Sequence, residues 1–370
     1  MKSVIQTQGN PSGAVVGILK SILNQGVVKA WLVPTSGNSV TYALVKDEGL
    51  LEKASPFAPV MPINLARAVS VIAKKGGAGK IGVLLRPCEQ RAFVELVKFH
   101  QIDPNSVLVV GMDCPGTYDL KDYASSSANA ALEEAILQQF KAGEFIPYQG
   151  LRFRKACEAC IHFTPVNDGG YVPELALGLF GMDPYEAIIL EGNPNLLKGL
   201  GLEEAEEPTS RQEVISSLRE RRKARRKEVF AETLEKARGV EGLHSYFSTC
   251  IRCHNCMVNC PICYCPDCVF RTETFDRTTS QYLAWAERKG AVPMLPDLLL
   301  FHLTRMNHMA TSCVGCGMCT SACPMGIDVG TLFSAVGEKV QALFNYVPGR
   351  SLEELPPVAE FKEEEFVDLG

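Results

Sequence analysis

The sequence predicts an α/β domain with a mostly parallel sheet, followed by a smaller helical domain that is rich in cysteine. Two observations predict this architecture. In the first half, short apolar segments alternate with amphipathic helical segments, as in strands joined by helices. In the second half, one spacing of four cysteines occurs twice. The expected divisions are an α/β domain at 1–205, a charged helical connector at 206–245, the cysteine-rich domain at 246–345 and an acidic C-terminal arm at 346–370.

The α/β domain opens with a strand that ends near Gln6 and a helix whose apolar residues recur at helical spacing as far as Gly26. Further strands are expected at 27–33, 40–46, 80–86 and 106–112, and helices at 65–75 and 91–100. Segment 80–86 has the apolar run of a strand that is buried on both faces. Because the loops at the carboxyl ends of parallel strands form the crevice of such a sheet, these loops are the candidate ligand sites.

Three of the loops have an unusual composition. The first is a glycine-bracketed turn at a helix N-terminus, made of Gly9, Asn10, Pro11, Ser12 and Gly13. Free N–H groups there suit a phosphate or an electron-rich ring, but a plain tight turn explains the segment equally well. The polar loop 35–39, which contains Ser36 and Asn38, leaves the same two alternatives. Loop 76–80 departs from the G-x4-G-K-S/T phosphate loop because Ile81 follows its lysine, so phosphate contact is the less favoured interpretation.

Four cysteines belong to the same half of the chain. Cys88 and Cys114 each follow a predicted strand, and Cys157 and Cys160 form a C-x2-C hook in a loop beyond the next helix. All four can therefore converge at one end of the sheet. Four thiolates are the ligand count of an iron–sulfur cubane, and buried inert cysteines are the alternative. These residues alone do not decide between the two.

The connector is strongly charged. Four glutamates precede Pro208, and residues 211–238 favour a helix with a dense basic run at 219–227. A net charge of -5 and a pI near 5.8 argue against a general nucleic-acid binder, which usually has a basic balance. A solvated helix face is therefore the favoured interpretation of the basic run, and contact with a partner subunit is a further possibility.

The second half contains the most specific pattern of the sequence. Cys250, Cys253, Cys256 and Cys260 with Pro261 follow the C-x2-C-x2-C-x3-C-P spacing of iron–sulfur ligands, and Cys313, Cys316, Cys319 and Cys323 with Pro324 repeat it. The spacing predicts two 4Fe-4S clusters in a helical ferredoxin domain. In two-cluster ferredoxins the fourth cysteine of each run ligates the other cluster. One cluster would then bind Cys250, Cys253, Cys256 and Cys323, and the other would bind Cys313, Cys316, Cys319 and Cys260.

Zinc sites and disulfides account less well for these thiols. Structural zinc sites usually combine two short hooks rather than two four-cysteine runs. A disulfide framework is disfavoured further, because 15 cysteines in a chain without an export signal indicate a reducing compartment. No apolar run approaches the length of about 18 residues that a membrane helix needs. The sequence therefore predicts a soluble, cytoplasmic protein that neither spans a membrane nor binds nucleic acid.

Three cysteines remain without an assigned role: Cys263, Cys265 and Cys268. Three interpretations stay open: they bind nothing, they shield the first cluster, or they form a metal site with a ligand from outside the chain. Shielding is the interpretation favoured here. Helices are expected at 281–289 and 295–309, between the two cysteine runs.

The order of these features resembles the beta subunits of F420-reducing hydrogenases and F420-dependent formate dehydrogenases, which are iron–sulfur flavoproteins. The resemblance covers TQGNPSGAVVGILKSILNQGVV at 7–28, Pro87-Cys88, Asp113-Cys114 and the hook Cys157-x2-Cys160. In that family these cysteines hold a cubane beside FAD, and the flavin exchanges a hydride with a deazaflavin. The resemblance implies that Cys88, Cys114, Cys157 and Cys160 bind a third 4Fe-4S cluster and that FAD meets the turn 9–13.

Two details of the sequence qualify this resemblance. Many family members have an Ala-Asp-hydrophobic-x-x-Gly-Asp stretch after the hook, whereas this chain has Val-Asn-Asp-Gly-Gly at 166–170, which leaves its flavin and substrate contacts open. The segment 308–313 and the helical gap between the cysteine runs resemble the two-cluster ferredoxins of heterodisulfide reductase and succinate dehydrogenase subunits.

Electron counting indicates the function. Clusters move one electron at a time, whereas a hydride carrier accepts two, so a flavin must stand between them. We expect an electron-transfer oxidoreductase subunit that links a partner catalytic subunit, of formate dehydrogenase or hydrogenase type, to coenzyme F420 or NAD(P). The alternative is an iron–sulfur relay without hydride chemistry that serves a heterodisulfide reductase-like partner. No residue is assigned a catalytic role, because nothing in the sequence resembles a molybdenum, tungsten or nickel site.

Overall fold

The computed structural model describes residues 1–37, 39–73, 79–126, 129–166, 170–292 and 297–360. Within these ranges the first half of the chain forms a seven-stranded sheet in the spatial order β1-β7-β6-β5-β4-β2-β3. The strands are β1 (Lys2–Gln6), β2 (Ala30–Thr35), β3 (Thr41–Val45), β4 (Ile81–Leu85), β5 (Val107–Met112), β6 (Leu175–Gly178) and β7 (Ala187–Gly192). The first five lie within a few residues of their predicted positions, whereas β6 and β7 were not predicted.

The sheet is mixed, but most of its strands point in one direction. β2, β4, β5 and β6 pair in parallel. β7 lies antiparallel between β6 and β1, and β3 lies antiparallel on β2. β1 therefore runs in the same direction as the four parallel strands. The prediction of an α/β domain is confirmed. Five of the seven strands point in the same direction, as expected for a mostly parallel sheet, but three of the six strand pairings are antiparallel.

Helices cover both faces of this sheet. They are α1 (Pro11–Asn24), α2 (Leu65–Ala73), α3 (Pro87–Lys98), α4 (Leu120–Ser125), α5 (Asn129–Leu137), α6 (Lys155–Glu158) and α7 (Pro194–Gly199). The position of β4 explains why its sequence is continuously apolar. Its residue Leu84 packs in the core that contains α1, whereas Val83 and Leu85 pack in the core that contains α2 and α3. A strand between two cores needs apolar residues on both sides.

The long helix α8 (Thr209–Lys236) runs from the sheet to the second half of the chain and packs along α14. The other helices of this half are α9 (Gly239–Phe247), α10 (Asn255–Val258), α11 (Thr279–Lys289), α12 (Leu298–Ala310), α13 (Met318–Ser321) and α14 (Val329–Leu343). The predicted start of α12 at residue 295 lies outside the described residues. In the described part of the chain, no helix combines the length and apolarity needed to cross a membrane.

The chain returns to the α/β half after α14. Tyr346 is buried, and its hydroxyl donates to the carboxylate of Glu95 on α3 at 2.7 Å. Gly349 follows with a φ of +77°, and its amide donates to the same carboxylate at 2.8 Å. A side chain at Gly349 would meet the backbone of Arg91. The beginning of the predicted acidic arm is thus packed on α3, and its most acidic part, 361–370, lies outside the described residues.

Candidate iron–sulfur and cofactor sites

Four loops with predicted site residues meet at one edge of the sheet. β1, β2, β4 and β5 all run in the same direction, so their carboxyl ends share this edge. The Gly9 turn follows β1, Ser36 follows β2, Cys88 follows β4, and Cys114 follows β5. The sheet therefore brings the candidate cofactor residues and the first-half cysteines to one side of the domain.

Buried ion pairs fix the two cysteine loops at this edge. Before Cys114, the carboxylate of Asp113 is fully buried, accepts from the amide of Leu179 at 2.8 Å and pairs with the guanidinium of Arg211. Before Cys88, the amide of Arg86 donates to the carboxylate of Glu89 at 2.9 Å. The two cysteine loops are thus held by buried carboxylates and arginines, whose role cannot be predicted from the cysteine spacing.

The four first-half cysteines lie together. We name Cys88, Cys114, Cys157 and Cys160 the proximal set. Cys157 lies in α6, and the amide of Cys160 donates to its carbonyl at 3.2 Å. Burial raises the pKa of Cys114 to about 12, and the nearby thiolates of Cys157 and Cys160 add to the rise, while Arg86 opposes it. Desolvation likewise raises the pKa of Cys88, and Cys114 and Cys160 are among the charges that contribute.

In the second half, one small cavity is lined by three cysteines of the first run and one of the second. We name these residues the distal set: Cys250, Cys253, Cys256 and Cys323. Burial raises the pKa of Cys256, Arg305 lowers it, and the other three thiolates raise it. The fourth cysteine of the second run therefore faces the first run, as the crossed ligation requires.

The remaining four cysteines form a matching group. We name Cys313, Cys316, Cys319 and Cys260 the middle set. Desolvation raises the pKa of Cys319, and the three other members of the set contribute to the rise. The same burial raises the pKa of Cys260 to about 12, with Cys316 and Cys313 among its neighbours. Cys260 thus lies with the second run although it belongs to the first in sequence.

Each set supplies four cysteine thiols, which is the ligand count of an iron–sulfur cubane. Among the described residues, no three Cys, His, Asp or Glu side chains lie close enough to hold one metal ion. A zinc site needs its ligands to meet around one ion, whereas a cubane spreads four thiolates over four irons.

The middle set lies next to the proximal set. Cys316 is among the charges that raise the pKa of Cys88, after desolvation and Glu89. The guanidinium of Arg154, next to α6, donates to the carbonyl of Cys316 at 2.7 Å. On the other side, Arg91 of α3 donates to the carbonyl of Val314 at 2.9 Å. The three sets therefore form a series: distal, middle, proximal.

A cavity of about 570 Å³ opens at the same edge of the sheet. The predicted residues that line it are Gly9, Asn10, Pro11, Ser12 and Ser36. Gly13 is not in the lining: its amide donates to the side chain of Asn10 at 2.8 Å, and an added Cβ would clash with that side chain. The missing side chain of Gly13 therefore leaves room for the Asn10 cap of α1, and the ligand contact of Gly13 stays a prediction. Asn38 and residues 76–78 and 167–169 lie outside the described residues.

The cavity wall is tied to the proximal set. Pro59 lines the cavity, and the guanidinium of Arg86 donates to the carbonyls on either side of it, Ala58 at 2.7 Å and Val60 at 3.3 Å. The same guanidinium lowers the pKa of Cys114, against the effect of burial. One buried cation thus supports both the cavity and the cysteine loops.

Several residues of these sites carry no signal in the sequence. Glu133 of α5 lines the cavity, and its carboxylate accepts from Ser12 at 2.8 Å and from Ser55 at 2.9 Å. Arg222 of α8 is buried, donates to the carbonyl of Pro115 and lies 5.0 Å from the ring of Phe163. The basic run of α8 is therefore only partly a solvated face, because its buried side supports the proximal set.

The three unassigned cysteines line a second cavity, of about 410 Å³. Cys263 and Cys268 pack with Cys256 and Met257, as residues that shield the distal set would do, whereas Cys265 is exposed. Shielding stays a prediction for the first two.

The fold and these cysteine sets define an iron–sulfur protein of the electron-transfer class. Residues 245–327 match the family model of the 4Fe-4S dicluster domain, which confirms the two-cluster character of the second half. Over 94% of its length the chain is 27% identical to the F420-dependent formate dehydrogenase subunit beta of Methanocaldococcus jannaschii, and the match covers 93% of that protein. It is 26% identical to the F420-dependent formate dehydrogenase 1 subunit beta of Methanococcus maripaludis, over 95% of this chain and 94% of that one.

A solved structure is also similar to part of the chain. It is the F420-reducing [NiFe] hydrogenase complex from Methanosarcina barkeri, with a TM-score of 0.46 and 12% identity over 65% of this chain and 93% of that chain. The resemblance to beta subunits of F420-dependent formate dehydrogenases, inferred from the sequence, is confirmed by the two curated relatives.

Proposed function

We propose that this chain is the subunit of an F420-dependent formate dehydrogenase that carries electrons between the catalytic subunit and coenzyme F420. It does so through three 4Fe-4S clusters, held by the distal, middle and proximal sets, and through FAD in the cavity at the sheet edge. The observation that carries the proposal is the series of three cysteine sets that ends beside this cavity. The domain division expected from the sequence is proposed with it, α8 being the connector.

The partner is proposed to meet the distal set. Cys253 of this set is exposed, and Ile251 and Met325 beside it expose 56% and 46% of their surface. Apolar surface around an exposed ligand suits a protein contact. The catalytic subunit of a formate dehydrogenase is the proposed partner because both curated relatives are formate dehydrogenase subunits by name.

The cavity has the features that FAD needs. Its volume of about 570 Å³ is within the usual range for ligand pockets, about 300–1,000 Å³. The N-terminus of α1 supplies the positive end of the helix dipole, which favours a pyrophosphate or a reduced flavin ring. Pro11 has no N–H and the amide of Gly13 donates to Asn10, so the dipole rather than a row of amides is the attraction. The carboxylate of Glu133 can accept hydrogen bonds from sugar hydroxyls. A bound flavin would supply the exchange between one-electron clusters and a two-electron hydride carrier.

The hydride carrier is proposed to be F420, because both curated relatives are F420-dependent by name.

The test uses the full chain, purified without oxygen and incubated with FAD. We expect about twelve irons per chain, on the count of four for each cluster, and about one FAD. Reduced F420 should then reduce methyl viologen, which replaces the partner as one-electron acceptor. If no FAD binds and no activity with F420 is seen, the chain is a relay without hydride chemistry; activity with NADPH alone would identify nicotinamide as the carrier.

The location of FAD is tested by filling the cavity. Gly37 lines it, and a side chain at this position would meet nothing within 4 Å. Gly37→Phe should therefore release FAD and abolish F420-dependent viologen reduction without disturbing the fold or the iron content. Gly17→Phe is the matched control, because Gly17 of α1 is exposed, is equally open and lies outside the cavity. Normal FAD binding by Gly37→Phe would show that the flavin lies elsewhere.

A further inference from the structure

One face of α12 points at the ligands of the ferredoxin clusters. Arg305 is 3% exposed, and its guanidinium donates to the thiol sulfur of Cys256 at 3.1 Å and to the carbonyl of the same residue at 3.0 Å. The rings of Phe301 and Phe333 lie 5.5 Å and 5.2 Å from the guanidinium. Arg305 is therefore held in one position by packing as well as by hydrogen bonds.

Arg305 is one of several buried arginines near the cysteine sets that donate to backbone carbonyls, as Arg154 and Arg222 do. It differs from these two because its guanidinium also donates to a thiol sulfur of a set. Among the described residues, no carboxylate forms an ion pair with Arg305. A buried cation without a counter-charge is costly, so it needs another source of negative charge. Burial acts to lower the pKa of Arg305, but thiolates outweigh it: those of Cys256, Cys260, Cys319 and Cys263.

Two of the three sets contribute to this group of thiolates. Cys256 belongs to the distal set, and Cys260 and Cys319 belong to the middle set. Arg305 consequently lies where the two sets meet. One turn before it, His302 approaches the sulfur of Cys250 at 3.4 Å and stacks on Phe247 at 3.8 Å. Arg305 is the permanent cation of this face, because a guanidinium is not deprotonated in proteins.

We propose that Arg305 sets the reduction potentials of the distal and middle clusters by holding a fixed positive charge between them and donating an N–H bond to Cys256. Each added electron increases the negative charge of a cluster, and a buried cation stabilises that charge strongly because the surrounding dielectric is low. Net charge and hydrogen bonds to sulfur are the known determinants of cluster potential. Arg305 should raise both potentials, and the distal one more because it also receives the hydrogen bond.

The inference rests on the proposed ligand sets, but its test is independent of flavin and F420. Full-length protein is titrated electrochemically with mediators, and the clusters are followed by electron paramagnetic resonance. Arg305→Met, which has similar length and no charge, should make reduction of the distal cluster at least tenfold less favourable. A tenfold change corresponds to about 59 mV for one electron. The middle cluster should shift in the same direction by less, at unchanged iron content.

Two further variants separate charge from structure. Arg305→Lys keeps the charge and should restore most of the potential. Arg277→Met removes the same charge from an exposed arginine of the same half, whose guanidinium donates to the carbonyls of Thr274 and Asp276, and should shift nothing because water screens it. If Arg305→Met loses iron, Arg305→Gln is used in its place, because glutamine is also neutral but can still donate to the carbonyl of Cys256. The same shift in potential is expected. Two results would overturn the proposal. One is an Arg305→Met or Arg305→Gln protein that keeps all its iron and shows unchanged cluster potentials. The other is an Arg305→Lys protein whose potentials shift as far as those of Arg305→Met.

Discussion

The distal and proximal sets are built in opposite ways. Three cysteines of the distal set lie within seven residues of chain, and the fourth comes from the second run, which repeats the same spacing. The proximal set gathers Cys88, Cys114 and the Cys157 hook from three separate segments, at the edge of a sheet. The first site is encoded by spacing, whereas the second is encoded by topology and by the ion pairs that fix its loops. Different changes should therefore destroy each of them.

The largest expected effect is on the crossed ligation. Cys323→Ser should remove the cluster of the distal set, with loss of about four irons, and leave the other clusters reducible. Its paramagnetic spectrum should match that of Cys253→Ser and differ from that of Cys316→Ser. Cys265→Ser is the control, because Cys265 is exposed and belongs to no set. A Cys323→Ser spectrum that matches Cys316→Ser would show that each run binds its own cluster.

A smaller effect is expected where the fold supports the proximal set. Arg211→Met leaves the buried carboxylate of Asp113 without its cation, and breaking such a pair costs about 3–5 kcal/mol. The hydrogen bond from Leu179 remains, so the lower end is expected. Denaturant unfolding, followed by the fluorescence of the buried Trp31, measures the loss in the α/β half.

The proximal cluster should also become labile in this variant, while the distal cluster keeps its spectrum. Lys223→Met is the control on the same helix, because Lys223 is exposed and, within the described part of the chain, forms an ion pair with Glu220 alone. Surface pairs of this kind contribute about 0–1 kcal/mol. Equal losses in the two variants would mean that the Asp113 pair does not hold the cysteine loop.

The contrast between local cysteine runs and a set assembled by the fold also explains which sites could be predicted from the sequence. The two cysteine runs are local, so their spacing indicates clusters without any knowledge of the fold. The predicted strands already allowed the proximal set to converge at one end of the sheet, but the choice of a cluster over inert cysteines required the resemblance. β6 has only four residues, whereas β7 has six, as many as the predicted strands β2 and β5, so length explains only the first omission.

Buried charges were the hardest to predict. Arg222 stands in a dense basic run that is typical of a solvated helix, and Arg305 is one arginine in an apolar helix. Charge is visible in a sequence, but burial and partners are not. Gly13 shows a second limit: the sequence shows a glycine in the turn, but only the structure shows that its missing side chain makes room for Asn10.

The central claim is that electrons pass along the series distal, middle, proximal and cavity. Cys157→Ser tests it most directly, because it removes a proximal ligand and leaves the ferredoxin cysteines and the cavity lining intact. Protein loaded with FAD is mixed with reduced F420, and flavin absorbance and cluster spectra are followed together. We expect the flavin of this variant to be reduced as in the wild type, while the distal and middle clusters stay oxidised and remain reducible by dithionite. Reduction of these two clusters at the wild-type rate, in protein shown to lack the proximal cluster, would contradict the series.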